Sequence, residues 1–271
     1  MSEEQQPDIR LSFGAVAERY DRARPGYPES LIDILWENAQ LEPGDRALEI
    51  GAGTGQATIA FAARGLNVLA VEPSAAMAAI IDRKLSAAGY DGRTVVSDLE
   101  SAELEDTAFK LIYAATSWHW LDPERRFAIV GGAIAPGGTL AVLWTWPRWR
   151  ATHLIPELDA AYERSGAPLE TMGPMHPAEP DAGALGREWS GEIERSDVFE
   201  APLGKVIDWS QTYTASEYTD LLGTYGDHIG LRPEVRARLF ADIEAIIDAE
   251  EGATELHYRT LLLTARAARA A

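Results

Sequence analysis

Cysteine is absent from this 271-residue chain, which removes disulfides, thiolate metal sites and cysteine nucleophiles together. Basic residues are scarce: 24 lysines and arginines face 43 aspartates and glutamates, a formal net charge of −19. Such a surface on average repels phosphate backbones and anionic membranes. Arg22, Arg24, Arg125, Arg126, Arg148 and Arg150 are scattered rather than gathered into a run, so nucleic acid is not expected as a partner. The acidity itself needs no more than solubility or adaptation to salt. No run of 18 apolar residues occurs, and the polar stretch 1–10 has no apolar core of the signal-peptide kind, so no membrane association is expected and the expected location is the cytoplasm. Repeats and low-complexity tracts are also missing, and His153, His176, His228 and His257 lack metal-ligand spacing, so no metal is expected.

What is present is a regular alternation. With 46% hydrophobic residues the chain can bury one substantial core. A helical pattern from Pro28 places Leu31, Ile34, Leu35 and Ala39 on one face before Pro43-Gly44. The stretch 46–50 reads as a strand running into a glycine turn, and 57–63 as the helix after it. Strands at 67–71, 94–97, 109–115 and 139–144 then alternate with helices from Ser74 to Leu85 and over 123–135. This α/β rhythm implies a mainly parallel sheet with helices on both faces. Beyond Trp146 the rhythm breaks. A helix near 157–164 is followed by loose sequence through Gly186, a sixth strand is expected near 200–210, a helix over 234–249, and a last strand over 256–265. The expected organisation is a flexible 1–10, a ligand-binding core over 11–146, a lid or cap over 147–254, and a strand over 255–266 returning to the core.

Chemistry gathers at the carboxyl end of the first strand. Gly51, Gly53 and Gly55 allow a tight turn and close approach of a ligand, although such turns also serve packing alone. A dinucleotide fingerprint would place a third glycine where Gln56 stands, and Glu49 sits two residues before the turn. A phosphate beside that carboxylate would meet a repulsion of about 4 kcal/mol at an effective dielectric of ~20. The site therefore suits a ligand without phosphates and with a cationic end, and S-adenosylmethionine has both properties. Glu72, at the end of the second strand, has the spacing of an acid that accepts both ribose hydroxyls; taken alone, an acid after a strand is more often a helix-start or solvent residue.

These segments resemble the class I S-adenosylmethionine-dependent methyltransferase family, and its small-molecule, trans-aconitate methyltransferase-like members in particular. The resemblance rests on the run from Ala47 to Gly55, on Val71-Glu72-Pro73-Ser74, and on Ser97-Asp98 with Glu100. It extends to Ser117-Trp118-His119-Trp120 with Asp122, to the run from Ala135 to Leu140, and upstream to Tyr20-Asp21 and the run from Arg24 to Pro28. It implies a Rossmann-like seven-stranded sheet with an antiparallel C-terminal strand and a helical lid insertion. The cofactor-binding set it implies is Tyr20, Arg24, Glu49, Gly51, Gly53, Gly55, Gln56, Glu72, Pro73, Asp98, Leu99, Ser117 and Trp118. Asp98 and the Leu99 amide would read the adenine edge. Tyr20 and Arg24 would cover the methionine moiety, unless Arg24 caps a helix or pairs with a surface acid. Lys110 departs from the family, many of whose members carry an acid there.

The segment 118–120 has two readings. Its tryptophans either pack, or hold a sulfonium by cation–π attraction while His119 removes a proton from the acceptor near neutral pH. Trp149, Trp189, Trp209 and Tyr225 are lid core or walls of the acceptor pocket. No Asn-Pro-Pro-Tyr or Asp-Pro-Pro-Tyr follows the fourth strand, which argues against an adenine-amino methylase. The expected activity is in-line methyl transfer to a small molecule by a monomer or homodimer. A cofactor-binding sensor without catalysis is the alternative on the same fold.

Overall fold

The five residues of β1 (Arg46–Ile50) send alternate side chains to opposite sides of the strand. Ala47 joins one apolar cluster, while Leu48 and Ile50 join another, so the strand is buried on both faces. It sits inside a seven-stranded sheet of order β3-β2-β1-β4-β5-β7-β6. The computed structural model describes residues 16–148, 153–168, 182–250 and 252–268. β2 (Asn67–Glu72), β3 (Gly92–Val96), β4 (Phe109–Ala115) and β5 (Ile134–Arg148) run parallel to β1. The order reverses at β1, between β2 and β4, which opens a crevice beyond the carboxyl ends of these strands. β6 (Leu203–Thr214) and β7 (Ala253–Arg266) complete the sheet, with β7 antiparallel to both β5 and β6.

Helices α1 (Ala17–Ala23), α2 (Glu29–Ala39), α3 (Gln56–Ala62) and α4 (Ala75–Ala88) precede β3. Side chains of α2, α3 and α4, among them Leu35, Phe61 and Ile81, cover one face of the sheet. The other face is covered by α5 (Arg126–Ala133) and α7 (Ala182–Arg195), through Val130 and Ile193. A third cluster lies mostly in the segment expected to form a cap. There α6 (Ile155–Ser165), α8 (Ala215–Leu222), the single turn α9 (Gly226–Ile229) and α10 (Pro233–Ala249) pack around Leu158, Tyr218, Leu239 and Ile243. Tyr213, Leu256 and Tyr258 carry this cluster onto β6 and β7. Ser74 caps α4 by accepting from the Met77 amide, and Gly89 closes it at φ +66°. No helix among the described residues is long and apolar enough to cross a membrane.

The expected parallel sheet with its antiparallel last strand is present, and several boundaries differ. The helix expected over 123–135 is only α5, and the fifth strand starts at Ile134 rather than 139 because Ile134 pairs with Phe109 ahead of a register shift. Helix α7 occupies sequence expected to be loose up to Gly186; residues 169–181 and the N-terminal 1–10 lie outside those described. The sixth strand runs on to Thr214, where Thr214 and Glu217 form a capping box that starts α8, and both α8 and α9 escape the sequence pattern.

Candidate active site

A cavity of about 440 Å³ occupies the crevice beyond β1, β2 and β4. Its floor is the turn after β1. Gly51 stands at φ +67°, and a Cβ there would lie 2.6 Å from the Ser117 Cβ, so only glycine lets the turn pass beneath the residue that follows β4. Ser117 locks that approach by donating its hydroxyl to the Ile50 carbonyl.

Two carboxylates flank the turn, with different surroundings. Glu72 lines the cavity and is fixed by two backbone donors, the Gly53 amide at 2.8 Å and the Ser74 amide at 2.9 Å, one on each oxygen. Burial raises its pKa against the opposing pull of those amides. Glu49 is 1% exposed and accepts from the Thr58 hydroxyl and, at 3.0 Å, from Tyr113 Oη. Burial pushes its carboxyl from the ordinary 4.5 up to about 7. Both hydroxyls donate to the same oxygen, and the residue lines the cavity. A cation placed there would favour the ionised form.

At the next strand end, Asp98 accepts from the Ser101 amide at 2.8 Å and begins a 3-10 turn over Leu99–Ser101, so Asp98 and Leu99 lie side by side on the cavity wall. Arg24, which also lines the cavity, donates from Nε to Thr224 Oγ1 at 2.9 Å and from Nη2 to the Thr224 carbonyl at 3.2 Å. Its guanidinium lies 4.1 Å from the Tyr225 ring centroid and 5.0 Å from that of Tyr20. Arg24 makes no ion pair with an acid among the described residues, which leaves its charge open to an anion in the cavity.

The far end is aromatic. Trp120, Trp146, Trp209, Tyr225 and Tyr258 line it, with Trp209 stacked on Tyr258 at 4.4 Å. His119 faces the same space, on a 3-10 turn over Trp118–Trp120, with Nδ1 3.4 Å from the Trp144 indole nitrogen. Burial, then the positive charge of Arg126, hold its pKa below the ordinary value.

A family model described as a methyltransferase domain matches residues 47–138, the segment that runs from β1 through the turn into β5. That segment is similar to methyltransferase domains, and it holds the glycine turn and both flanking carboxylates. An uncharacterized methyltransferase of Mycobacterium tuberculosis is 35% identical over 162 residues, 60% of this chain and 63% of that protein. The chain thus spans a little under two thirds of that relative's length. Among solved structures, a candidate type II methyltransferase from Anaeromyxobacter dehalogenans superposes with a TM-score of 0.61 at 21% identity, covering 91% of this chain and 99% of that one. The YcgJ protein of Bacillus subtilis gives 0.54 at 14% identity, covering 90% and 100%.

Around the segment 47–138, most of the residues expected at the site do meet. Tyr20, Arg24, Glu49, Gly51, Gly53, Gln56, Glu72, Pro73, Asp98, Leu99, Ser117 and His119 all line the one cavity. Two do not. Trp118 turns away into the core, 1% exposed, with its ring 5.4 Å from Phe127 and beneath Arg126. Gly55, at φ +86°, serves packing: a Cβ there would meet Ile81 of α4 at 3.1 Å. Among the four aromatics offered as lid core or walls, Trp209 and Tyr225 line the cavity, Trp189 stacks behind it on Trp144, and Trp149 lies outside the described residues. Trp120 and Tyr27, which belong to the quoted motifs, line the cavity as well, and Trp146 and Tyr258 are lining residues that the motifs alone did not single out. The strand pairing offers a signal for one of them, because Tyr258 lies opposite both Trp209 and Pro147.

Proposed function

We propose that the chain is a cytoplasmic methyltransferase that uses S-adenosylmethionine to methylate a small-molecule acceptor. The reading is carried by one observation: at the floor of the cavity, Glu72 is held by two backbone amides beside a glycine turn, with the second carboxylate, Glu49, at the same turn. The residues fit this cofactor. Glu72 retains lone pairs for two ribose hydroxyls after accepting one amide on each oxygen, and Asp98 with the Leu99 amide supplies one acceptor and one donor for the adenine edge. Glu49 favours a cationic group over a phosphate at the turn. Arg24, seated on Tyr225 and Thr224, suits the carboxylate of the methionine moiety, and Tyr20 closes over it.

S-adenosylmethionine, when bound, supplies a methyl carbon on a positively charged sulfur, electrophilic enough for in-line displacement without covalent help from the protein. The work left to this chain is positioning and exclusion of water. Ser117 and the Gly51 turn fix the floor, while the aromatic wall of Trp120, Trp146, Trp209 and Tyr258 keeps the transfer region dry and offers ring faces to a cation. A net charge of −19 supports a small molecule over a polyphosphate acceptor.

Calorimetric titration tests the reading. The wild-type protein is expected to bind S-adenosylmethionine and not a nicotinamide dinucleotide. Glu72→Gln, which keeps an acceptor for one amide, is expected to weaken binding by about tenfold or more, the size of losing charge-assisted hydrogen bonds. Equal affinity of both proteins would remove the ribose assignment. A panel of acids, phenols and amines with methyl-labelled cofactor then tests transfer, and binding without transfer throughout would favour a sensor.

A further inference from the structure

Sequence alone offers His119 as a proton acceptor, but its surroundings fix its protonation in the opposite sense. The Trp144 indole N–H lies 3.4 Å from His119 Nδ1. An indole nitrogen can only donate, so this contact is favourable only when Nδ1 carries a lone pair. A neutral imidazole then holds its single proton on Nε2. The donor is itself immobile: Trp144 is buried in β5, and its ring stacks on Trp189 of α7 with 3.1 Å between centroids and 19° between planes. The turn bearing His119 is anchored as well, because Arg126 donates to the Trp118 carbonyl at 2.9 Å and pairs with Glu192 of α7. With Nδ1 turned to Trp144, the ring edge left to the cavity carries Nε2, which hydrogen-bonds no described residue.

We propose that His119 is a fixed N–H donor to the methyl acceptor and does not take its proton. The inference rests on the methyltransferase reading and adds a specificity rule: the acceptor presents an oxygen or nitrogen lone pair to Nε2–H next to its reacting atom. Such a donor discriminates against analogues lacking that lone pair, since a bound analogue that displaces water from the exposed ring and offers no acceptor atom would leave the N–H unpaired. The charged groups around the ring agree with this role. Arg126, one turn away on α5, opposes protonation of the ring, and Glu192 pairs with Arg126 rather than with His119. Glu100, also at the cavity, is engaged with the Asp122 amide at 2.8 Å. Among the described residues, no acid therefore holds the ring in the opposite tautomer.

Two measurements test the proposal, and the first needs no acceptor. Ring-nitrogen NMR of the full chain with S-adenosylhomocysteine at neutral pH is expected to show His119 as the Nε2–H tautomer. In Trp144→Phe the same signals are expected to shift toward a mixture. A wild-type spectrum showing Nδ1–H, or an averaged mixture, overturns the proposal. The second measurement uses whichever acids, phenols or amines of the panel are methylated. His119→Gln, whose amide N–H can stand in for Nε2–H, is expected to keep kcat/KM within about threefold of wild type, while His119→Ala loses about tenfold or more. An acid limb in the wild-type pH profile that vanishes in His119→Gln would identify a base and contradict the donor role. Absence of transfer throughout the panel counts against the proposed function, while the NMR result still decides the tautomer.

Discussion

Glu49 is an acid kept in a setting that penalises its charge. The hydroxyls of Thr58 and Tyr113 and the Thr58 backbone only partly offset its burial, and its carboxyl is pushed up to about 7. Because the folded protein holds this proton more tightly than the unfolded chain, the stabilisation from the protonated form is complete below 4.5 and is lost as pH rises through about 7. A cationic ligand shifts the balance the other way. Binding of S-adenosylmethionine near pH 7 is therefore expected to release part of a proton and to tighten as pH rises, which calorimetry in buffers of different ionisation enthalpy reads directly. Glu49→Gln keeps an acceptor for both hydroxyls; it is expected to melt higher than wild type at pH 8 without ligand, and to bind the cofactor more weakly with no proton release. These carboxylates were legible in the sequence because each stands at a fixed place relative to a strand end. Trp118 was not, since residues adjacent in a 3-10 turn point to different sides: His119 and Trp120 reach the cavity while Trp118 fills the core. Tyr258 was missed because it arrives from β7, more than a hundred residues from the nearest motif.

Helix α7 illustrates what periodicity cannot announce. Three glycines over Ala182–Arg195 weaken its intrinsic preference, and tertiary contacts supply what propensity lacks: Ile193 is buried, Trp189 stacks on Trp144, and Glu192 pairs with Arg126. The side chain of Arg126 is 7% exposed, so removing its acid strands a charge in the interior. Glu192→Ala is expected to cost about 3 kcal/mol of stability by denaturant unfolding, and to disturb the ring-nitrogen signals of His119 through the turn that Arg126 holds. A change within a few tenths of a kcal/mol would mean that the pair is solvated and does not anchor α7. The start of β5 escaped for a related reason. A glycine-rich turn normally ends a helix, but pairing of Ile134 with Phe109 draws the chain into the sheet before Pro136-Gly137-Gly138 is reached.

The sheet as a unit joins the parts that composition alone divides into core and cap. β7 pairs along its length with β5 on one side and β6 on the other, so the cap cluster around Tyr218 and Leu239 rests on strands of the same sheet that holds the glycine turn. Arg24, held by Thr224 and stacked near Tyr225, lines the same cavity as Glu72 and Asp98, and it is a cation that no acid among the described residues pairs. This combination matches a ligand carrying its own carboxylate at one end and neutral, hydroxylated rings at the other. The most direct test is a crystal structure of the protein soaked with S-adenosylhomocysteine. The account predicts ribose hydroxyls on Glu72, the adenine edge at Asp98 and the Leu99 amide, and the amino-acid end between Glu49 and Arg24. A crevice filled by protein side chains, or one that accepts a diphosphate at the Gly51 turn instead, would contradict it.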